Sequence, residues 1–167
     1  MKTIEKIGLG GGCHWCTEAV FQSIKGVSLV EQGFISSIED FSSLSEGVIV
    51  HFDPAEVSLE DLVEIHTHTH ESTSNHSFRK KYRSAVYYFD TTQKHVVKKA
   101  LKSLTSQFDK DLITLVLPFD SFVLSIENFQ NYFKRNKEAP FCTRYIAPKI
   151  EKLQNHFPER MLEEFPV

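Results

Sequence analysis

The stretch Ile7-Gly8-Leu9-Gly10-Gly11-Gly12-Cys13-His14-Trp15-Cys16-Thr17-Glu18-Ala19-Val20-Phe21-Gln22 decides how this chain is read. Its apolar opening predicts a strand over residues 4–9, and the three glycines predict a tight turn. The segment after them predicts a helix over 13–25, with Val20, Phe21 and Ile24 on one face and Gly26 as terminator. A pair of thiols therefore sits where a strand turns into a helix. The first N–H groups of a helix have no intrahelical acceptor, and the helix dipole adds partial positive charge there. Both favour thiolate over thiol, and the thiolate is the nucleophile.

Working outward, the pattern predicts strands over 27–34 and 46–52, the second closed by Asp53-Pro54. The serine-rich segment 36–44 reads as a loop. Ser58 with Asp61 three residues on predicts a capped helix running to about His70, with Leu59, Leu62 and Val63 inward. Residues 72–81 are polar and irregular. A strand is expected over 82–89, an amphipathic helix over 91–108, a strand over 112–117 stopped by Pro118, and a helix over 125–134. Pro148 would open a last helix at its first turn. The order β-α-β-β-α-β, then α-β and a helical tail, predicts an α+β two-layer sandwich: a mixed sheet with a split βαβ, ferredoxin-like core.

No linker or repeat divides residues 1–167, so one domain is expected. Hydrophobic residues make up 41% and charged residues 25%, an ordinary balance for a globular protein. The formal charge of −3 with mixed signs argues against general nucleic-acid binding. No apolar run approaches the ~20 residues of a membrane helix, and the start lacks a signal-peptide core. The expectation is a cytoplasmic monomer. In a reducing compartment Cys13, Cys16 and Cys142 are catalytic, metal-binding or inert rather than structural disulfides.

Cys-x-x-Cys alone fits a redox pair, half a zinc site or two core cysteines. The surrounding sequence narrows the choice. Gly-Gly-Cys13-His14-Trp15-Cys16 followed by Glu-Ala-Val-Phe resembles the active-site run of the A-type peptide methionine sulfoxide reductases, whose hallmark is Gly-Cys-Phe-Trp. Glu46 to Phe52 before Asp53-Pro54 resembles the family's Glu-bearing strand. Tyr82-Arg83-Ser84-Ala85 resembles its Tyr-Arg-Ser-Ala segment. Phe141-Cys142 with Ile146-Ala147-Pro148-Lys149-Ile150 resembles a C-terminal stretch found in many members.

The resemblance implies reduction of methionine S-sulfoxide, free and in proteins. Cys13 would attack the sulfoxide sulfur, and Glu46, in an apolar setting, would supply a proton to the departing oxygen. Tyr82 would hydrogen-bond that oxygen, and Trp15 would wall a pocket for the substrate methyl. The sulfenic acid formed on Cys13 would be resolved by a second thiol to a disulfide, then recycled by thioredoxin or a similar dithiol. Cys16, one helical turn away, is placed ahead of Cys142 as resolver. No bound cofactor is implied.

The sequence also departs from the family pattern. His14 replaces the Phe after the nucleophile, making one pocket wall more polar. Phe34 stands where a tyrosine is usual. The aspartate before Tyr-Arg-Ser has no counterpart: Ser77 aligns most simply, with His76 or Arg79 as partial substitutes. His66, His68 and His70 with Cys13 and Cys16 raise a zinc set, but no second Cys-x-x-Cys accompanies them, and no metal site is assigned. His51, His95 and His156 are expected at the surface, and Phe119, Phe122, Phe129 and Phe133 in the core. Two other functions fit the thiol motif. One is general thiol–disulfide exchange by Cys13 and Cys16, indifferent to Glu46. The other is a weakly active methionine sulfoxide binder.

Overall fold

A computed structural model describes residues 3–163. The outermost residues of the expected 1–167 unit lie outside it. The chain runs β1 (Glu5–Gly10), α1 (His14–Gln22), β2 (Val27–Ser36), β3 (Ser45–Phe52), α2 (Leu59–Thr69), β4 (Ala85–Tyr88), α3 (Thr91–Leu104), β5 (Leu115–Pro118), β6 (Ser121–Leu124), a short α4 (Tyr132–Arg135) and α5 (Ala147–His156). The strands form one sheet in the order β5-β4-β1-β3-β2-β6. Its centre, β4-β1-β3-β2, is wholly antiparallel between neighbours. It contains the two interlocked split βαβ units expected from the element order. The β4–α3–β5 unit adds a parallel edge, and β6 adds an antiparallel edge on the other side.

Alternation along the strands builds the layers. On β3, Val48, Val50 and Phe52 join Ala19, Val20 and Phe21 of α1, Leu62, Val63 and Ile65 of α2, and Ile150 and Leu153 of α5 in the main core. Ile35, Ile49, Tyr87 and Leu117 form a smaller cluster on the opposite face, covered by Phe41, Phe89, Phe119 and Phe122. Each fully buried Leu, Ile or Phe contributes about 1.5–3 kcal/mol. The helix starts follow their sequence signals. Ser58 Oγ accepts from the Asp61 N–H at 3.0 Å, and the Asp61 carboxylate accepts from the Ser58 N–H at 3.4 Å. Asp90 accepts from the Gln93 N–H at 2.8 Å.

Six expectations need correction. The helix expected over 13–25 ends as α1 at Gln22, before Gly26, and the strand expected over 112–117 begins only at Leu115. The strand expected over 82–89 begins only at Ala85. Residues before it are held otherwise: the Arg83 N–H donates to Ser45 Oγ, and the Lys81 carbonyl accepts from the Glu46 N–H and from Ser45. The helix expected over 91–108 ends as α3 at Leu104, followed by a 3-10 turn, Thr105–Gln107. The helix expected over 125–134 is broken. A 3-10 turn (Glu127–Phe129) precedes extended Gln130 and left-handed Asn131 (φ 56°), and only then does α4 start. Strand β6 has no counterpart in the sequence reading, where Pro118 was expected to end the sheet. Pro118 ends β5 on an edge, where a missing N–H is tolerated.

Candidate active site

Cys13 is the N-cap of α1, with His14 the first helical residue. The turn before it is fixed from three sides. Buried His66 donates through Nε2 to the Gly10 carbonyl at 2.8 Å. Arg79 Nη1 donates to the carbonyls of Gly11 and Tyr82, each at 2.8 Å. The His70 ring lies under Gly11, where φ is +156° and an added Cβ would stand 2.4 Å from the ring. His70 is itself oriented: Nδ1 donates to the His66 carbonyl, and Nε2 accepts from Ser84 Oγ at 2.7 Å. Burial holds His66 at about 4, well below the ordinary imidazole value, and lowers His70 strongly, so both rings are neutral. The sequence raised these two histidines only as members of a zinc set, and in the fold they shape the turn that carries Cys13.

The two thiols of the motif differ in acidity, Cys13 being the more acidic. Cys16 donates to the Cys13 sulfur, and this bond, with the backbone N–H groups of Trp15 and Cys16, lowers the Cys13 thiol despite its partial burial and the nearby Glu46 charge. Cys16 is buried and pushed far upward, first by that same bond and then by desolvation. Of the two, Cys13 is therefore the thiol that ionises first. Cys142 is also fully buried, in the π-helical turn Cys142–Ile146, and burial raises its thiol. It lies in the same core cluster as Cys16 and within its electrostatic reach.

Cys13 and Cys16 open into a cleft of about 270 Å3 lined also by Gly11, Gly12, His70, Tyr82 and Lys149. Residues His76, Phe141 and Tyr145 complete much of its wall. The C-terminal segment thus folds over the thiols. Lys149 donates to the Thr69 carbonyl and is lowered by burial, with Cys16 and Cys13 acting in the opposite sense. Pro148 marked a helix start in the sequence, but nothing local marked Lys149 as a cleft residue.

Glu46, 6% exposed, lies across the sheet at the start of β3, paired in register with Phe34 of β2. Its Oε1 accepts from the His14 backbone N–H at 3.2 Å, and His14 Nε2 stands 3.4 Å from the same oxygen. Lys81 Nζ stands 3.6 Å from Oε2. The carboxyl is buried, as expected, but in a polar setting rather than an apolar one. His14 Nδ1 donates to the Gly33 carbonyl at 2.8 Å, and Phe34 packs edge-on to the ring at 5.2 Å.

Trp15 is placed against the C-terminal aromatics. Its ring stacks on Tyr132 at 4.0 Å and meets Phe129 and Phe141 at 5.2 Å. Phe129, expected in the core, is 38% exposed at this cluster, whereas Phe133 is buried as expected. Tyr82 lines the cleft from a turn, with Lys81 Nζ 5.0 Å from its ring. Ser77 is exposed and does not line the cleft; His76 does, and Arg79 reaches the site through Gly11. His51 is half-buried and paired with Glu31 at 2.6 Å, while His95 and His156 are exposed.

A cysteine at a helix start, a second thiol one turn on and a buried carboxyl on the adjoining strand are an arrangement suited to cysteine-based redox chemistry. The family model described as "Peptide methionine sulfoxide reductase" matches residues 5–161, and the chain belongs to that family. A relative named peptide methionine sulfoxide reductase MsrA, from Psychrobacter sp., is 33% identical over 95% of this chain and 99% of its own. Mxr1 from Saccharomyces cerevisiae in reduced form shares the fold, with a TM-score of 0.71 at 20% identity over 83% of this chain and 89% of that one. The same yeast protein in complex with Trx2 matches with a TM-score of 0.58 at 20% identity, over 77% and 84% of the two chains. No helix among the described residues is long and apolar enough to cross a membrane.

Proposed function

We propose that this protein, acting as a single unit over residues 1–167, reduces methionine S-sulfoxide, both free and within proteins, through Cys13. The observation that carries the reading is the placement of Cys13 at the N-cap of α1, where with Cys16 it opens into the cleft that Tyr82 lines. The helix start favours the anion on that accessible sulfur. That thiolate attacks the sulfoxide sulfur, and Glu46 gives a proton to the oxygen, which Tyr82 orients through its hydroxyl. The S–O bond breaks, methionine departs, and Cys13 is left as a sulfenic acid. Cys16 then attacks Cys13, forming a disulfide and releasing water. Cys142, beside Cys16, stands second in line and can pass the disulfide onward.

His14 and Phe34 flank the carboxyl and offer the substrate methyl a wall there. Trp15 supports the site through Tyr132, and Ser77 has no direct part in the reading. The complex of Mxr1 with Trx2 supports a thioredoxin as the reductant. The reading takes the protein as a monomer in the cytoplasm, where thiols are kept reduced.

The test is reductant-dependent reduction of the two methionine sulfoxide epimers by wild type, Cys13→Ser, Cys16→Ser and Glu46→Gln. The expected result is S-epimer activity that vanishes with Cys13→Ser and falls at least about 100-fold with Glu46→Gln. Cys16→Ser should complete one turnover and accumulate a dimedone-reactive Cys13. Absence of activity on either epimer in the wild type refutes the reading. Insulin disulfide reduction unaffected by Glu46→Gln would favour general thiol–disulfide exchange instead. Substrate binding without Cys13 oxidation would favour a binder.

A further inference from the structure

In the reading above the proton for the sulfoxide oxygen comes from Glu46, which is buried and holds contacts on both oxygens. His14 has a fixed tautomer. A carbonyl only accepts, so the 2.8 Å contact to Gly33 places a hydrogen on Nδ1. Nε2 is then the nitrogen whose proton can come and go, and it faces Glu46 Oε1 at 3.4 Å. With both groups deprotonated, two lone pairs would oppose each other in a buried site. One proton between them turns that opposition into a hydrogen bond, either Glu46–H to neutral His14 or His14–H to ionised Glu46.

The other groups facing this pair fit the same arrangement. Lys81, from the loop before β4, neutralises the far oxygen, and Tyr82 stands beside Lys81. Cys13, on the same turn as His14, contributes its thiolate charge. Gly33 and Phe34 of β2 carry no titratable side chain. Burial by itself drives His14 toward the neutral form, while Glu46 and the Gly33 carbonyl act against it. The ring is held edge-on by Phe34 at 5.2 Å, so its plane cannot turn away from the carboxyl freely.

We propose that His14 is the proton-sharing partner of Glu46: the pair enters the reaction carrying one proton between Nε2 and Oε1, and delivers it to the sulfoxide oxygen. This rests on the reductase reading above. The step balances. Thiolate, sulfoxide and the pair's proton become sulfenic acid and methionine, with no net electron change beyond transfer of oxygen to sulfur. Disulfide formation then releases water, with the Cys16 proton going to the departing hydroxide. The pair regains its proton from solvent during reduction of the disulfide. His14 touches the reacting atoms only through Glu46, so its role is positioning and supplying a proton rather than attack.

Two experiments test this, one independent of turnover. In reduced wild-type protein labelled with 15N-histidine, the His14 ring should titrate with Nδ1 protonated throughout, and Glu46→Gln should move its midpoint by at least one pH unit. An unchanged His14 titration in Glu46→Gln overturns the sharing, whatever the activity. In single-turnover reduction of the S epimer at saturating substrate, His14→Phe should lower the rate at least 10-fold at pH 8 and much less at pH 6. The decline with rising pH should begin at lower pH than in the wild type. The variant His14→Gln should behave alike, which guards against misfolding of either. A pH profile of His14→Phe superimposable on the wild type's overturns the proposal. Absence of sulfoxide reduction in the wild type would refute the reductase reading while leaving the NMR result to judge the proton sharing.

Discussion

Glu18 is a single buried carboxylate that ties the C-terminal segment to α1. Its Oε2 accepts from the Asn131 N–H at 3.0 Å, and Oε1 accepts from the Tyr132 N–H at 3.1 Å and from Gln32 Nε2 at 2.9 Å. Those two N–H groups belong to the left-handed residue and the first helical residue that break the expected helix over 125–134. Tyr132 in turn stacks on Trp15 at 4.0 Å. Glu18→Ala removes three hydrogen bonds to a charged acceptor, each worth about 1.5–3 kcal/mol. Against this stands the desolvation cost that raises the Glu18 carboxyl above its usual value. Gln32 also keeps partners in the Phe129 carbonyl and Ser125. The net loss expected is about 2–4 kcal/mol. Urea unfolding at constant m-value measures it. The fluorescence of the native protein gives a second readout, because Trp15 is the chain's one tryptophan. Freed from Tyr132, its emission should shift to the red. A loss under about 0.5 kcal/mol, the usual range for a change at an uninvolved surface site, together with an unmoved emission maximum would refute the tether.

Three further outcomes follow from the site. Gly11→Ala places a Cβ 2.4 Å from the His70 ring in a backbone conformation that suits glycine, so the turn must shift. Stability should fall by about 1–3 kcal/mol, with S-epimer reduction falling at least tenfold; unchanged kinetics would show the turn to be tolerant. Stability should also depend on His66. Its folded value near 4 lies below the ordinary 6.5, so the unfolded chain binds more protons between these limits. Stability is therefore lost as pH falls from about 6.5 toward 4, by about 3 kcal/mol from this residue, and His66→Gln should flatten that slope in urea titrations. Finally, iodoacetamide at pH 7 should label Cys13 first, with Cys16 and Cys142 protected until unfolding; peptide mapping that finds Cys16 labelled first contradicts the proton assignment.

The sandwich was legible because its signals are local. Alternation marks β3, Ser58 with Asp61 marks the start of α2, and Asp53-Pro54 marks the end of β3. The motif likewise exposed Cys13, Cys16 and Glu46 as candidates. What lay hidden depends on contacts between distant residues. Glu18 reaches Asn131 across 113 positions, His14 reaches Glu46 across 32, and Arg79 reaches Gly11 across 68. No periodicity encodes such pairs. The helix expected over 125–134 failed for this reason, since Glu18 and Gln32 claim its polar groups from another element. Strand Ala85–Tyr88 is short because Ser45 and Glu46 take the backbone groups preceding it. Ser77 seemed the natural stand-in for a missing aspartate because alignment counts positions, whereas folding turns His76 toward the cleft and sends Arg79 to the glycine turn.

The absence of an ordinary cap on α1 links structure to chemistry. Ser58 and Asp90 cap α2 and α3 with side-chain oxygens, but Cys13, at the equivalent place on α1, makes no such bond. The orphan N–H groups there nevertheless have acceptors. That of His14 goes to the Glu46 carboxylate, those of Trp15 and Cys16 favour the Cys13 thiolate, and those of Cys16 and Thr17 also reach the Cys13 carbonyl. The groups proposed to react are thus the groups that cap the helix. An N-cap of Ser or Asp would stabilise α1 by about 1 kcal/mol over a poor cap, but it would replace the proposed nucleophile. The arrangement also couples redox state to local stability. Converting the thiolate to a disulfide removes one anion from the helix start, a change of about 0.3–1 kcal/mol against α1, while the Glu46 contact to His14 stays. The reduced state is thereby the better-capped one, and the start of α1 is the element whose hydrogen-exchange protection should drop when the Cys13–Cys16 disulfide forms.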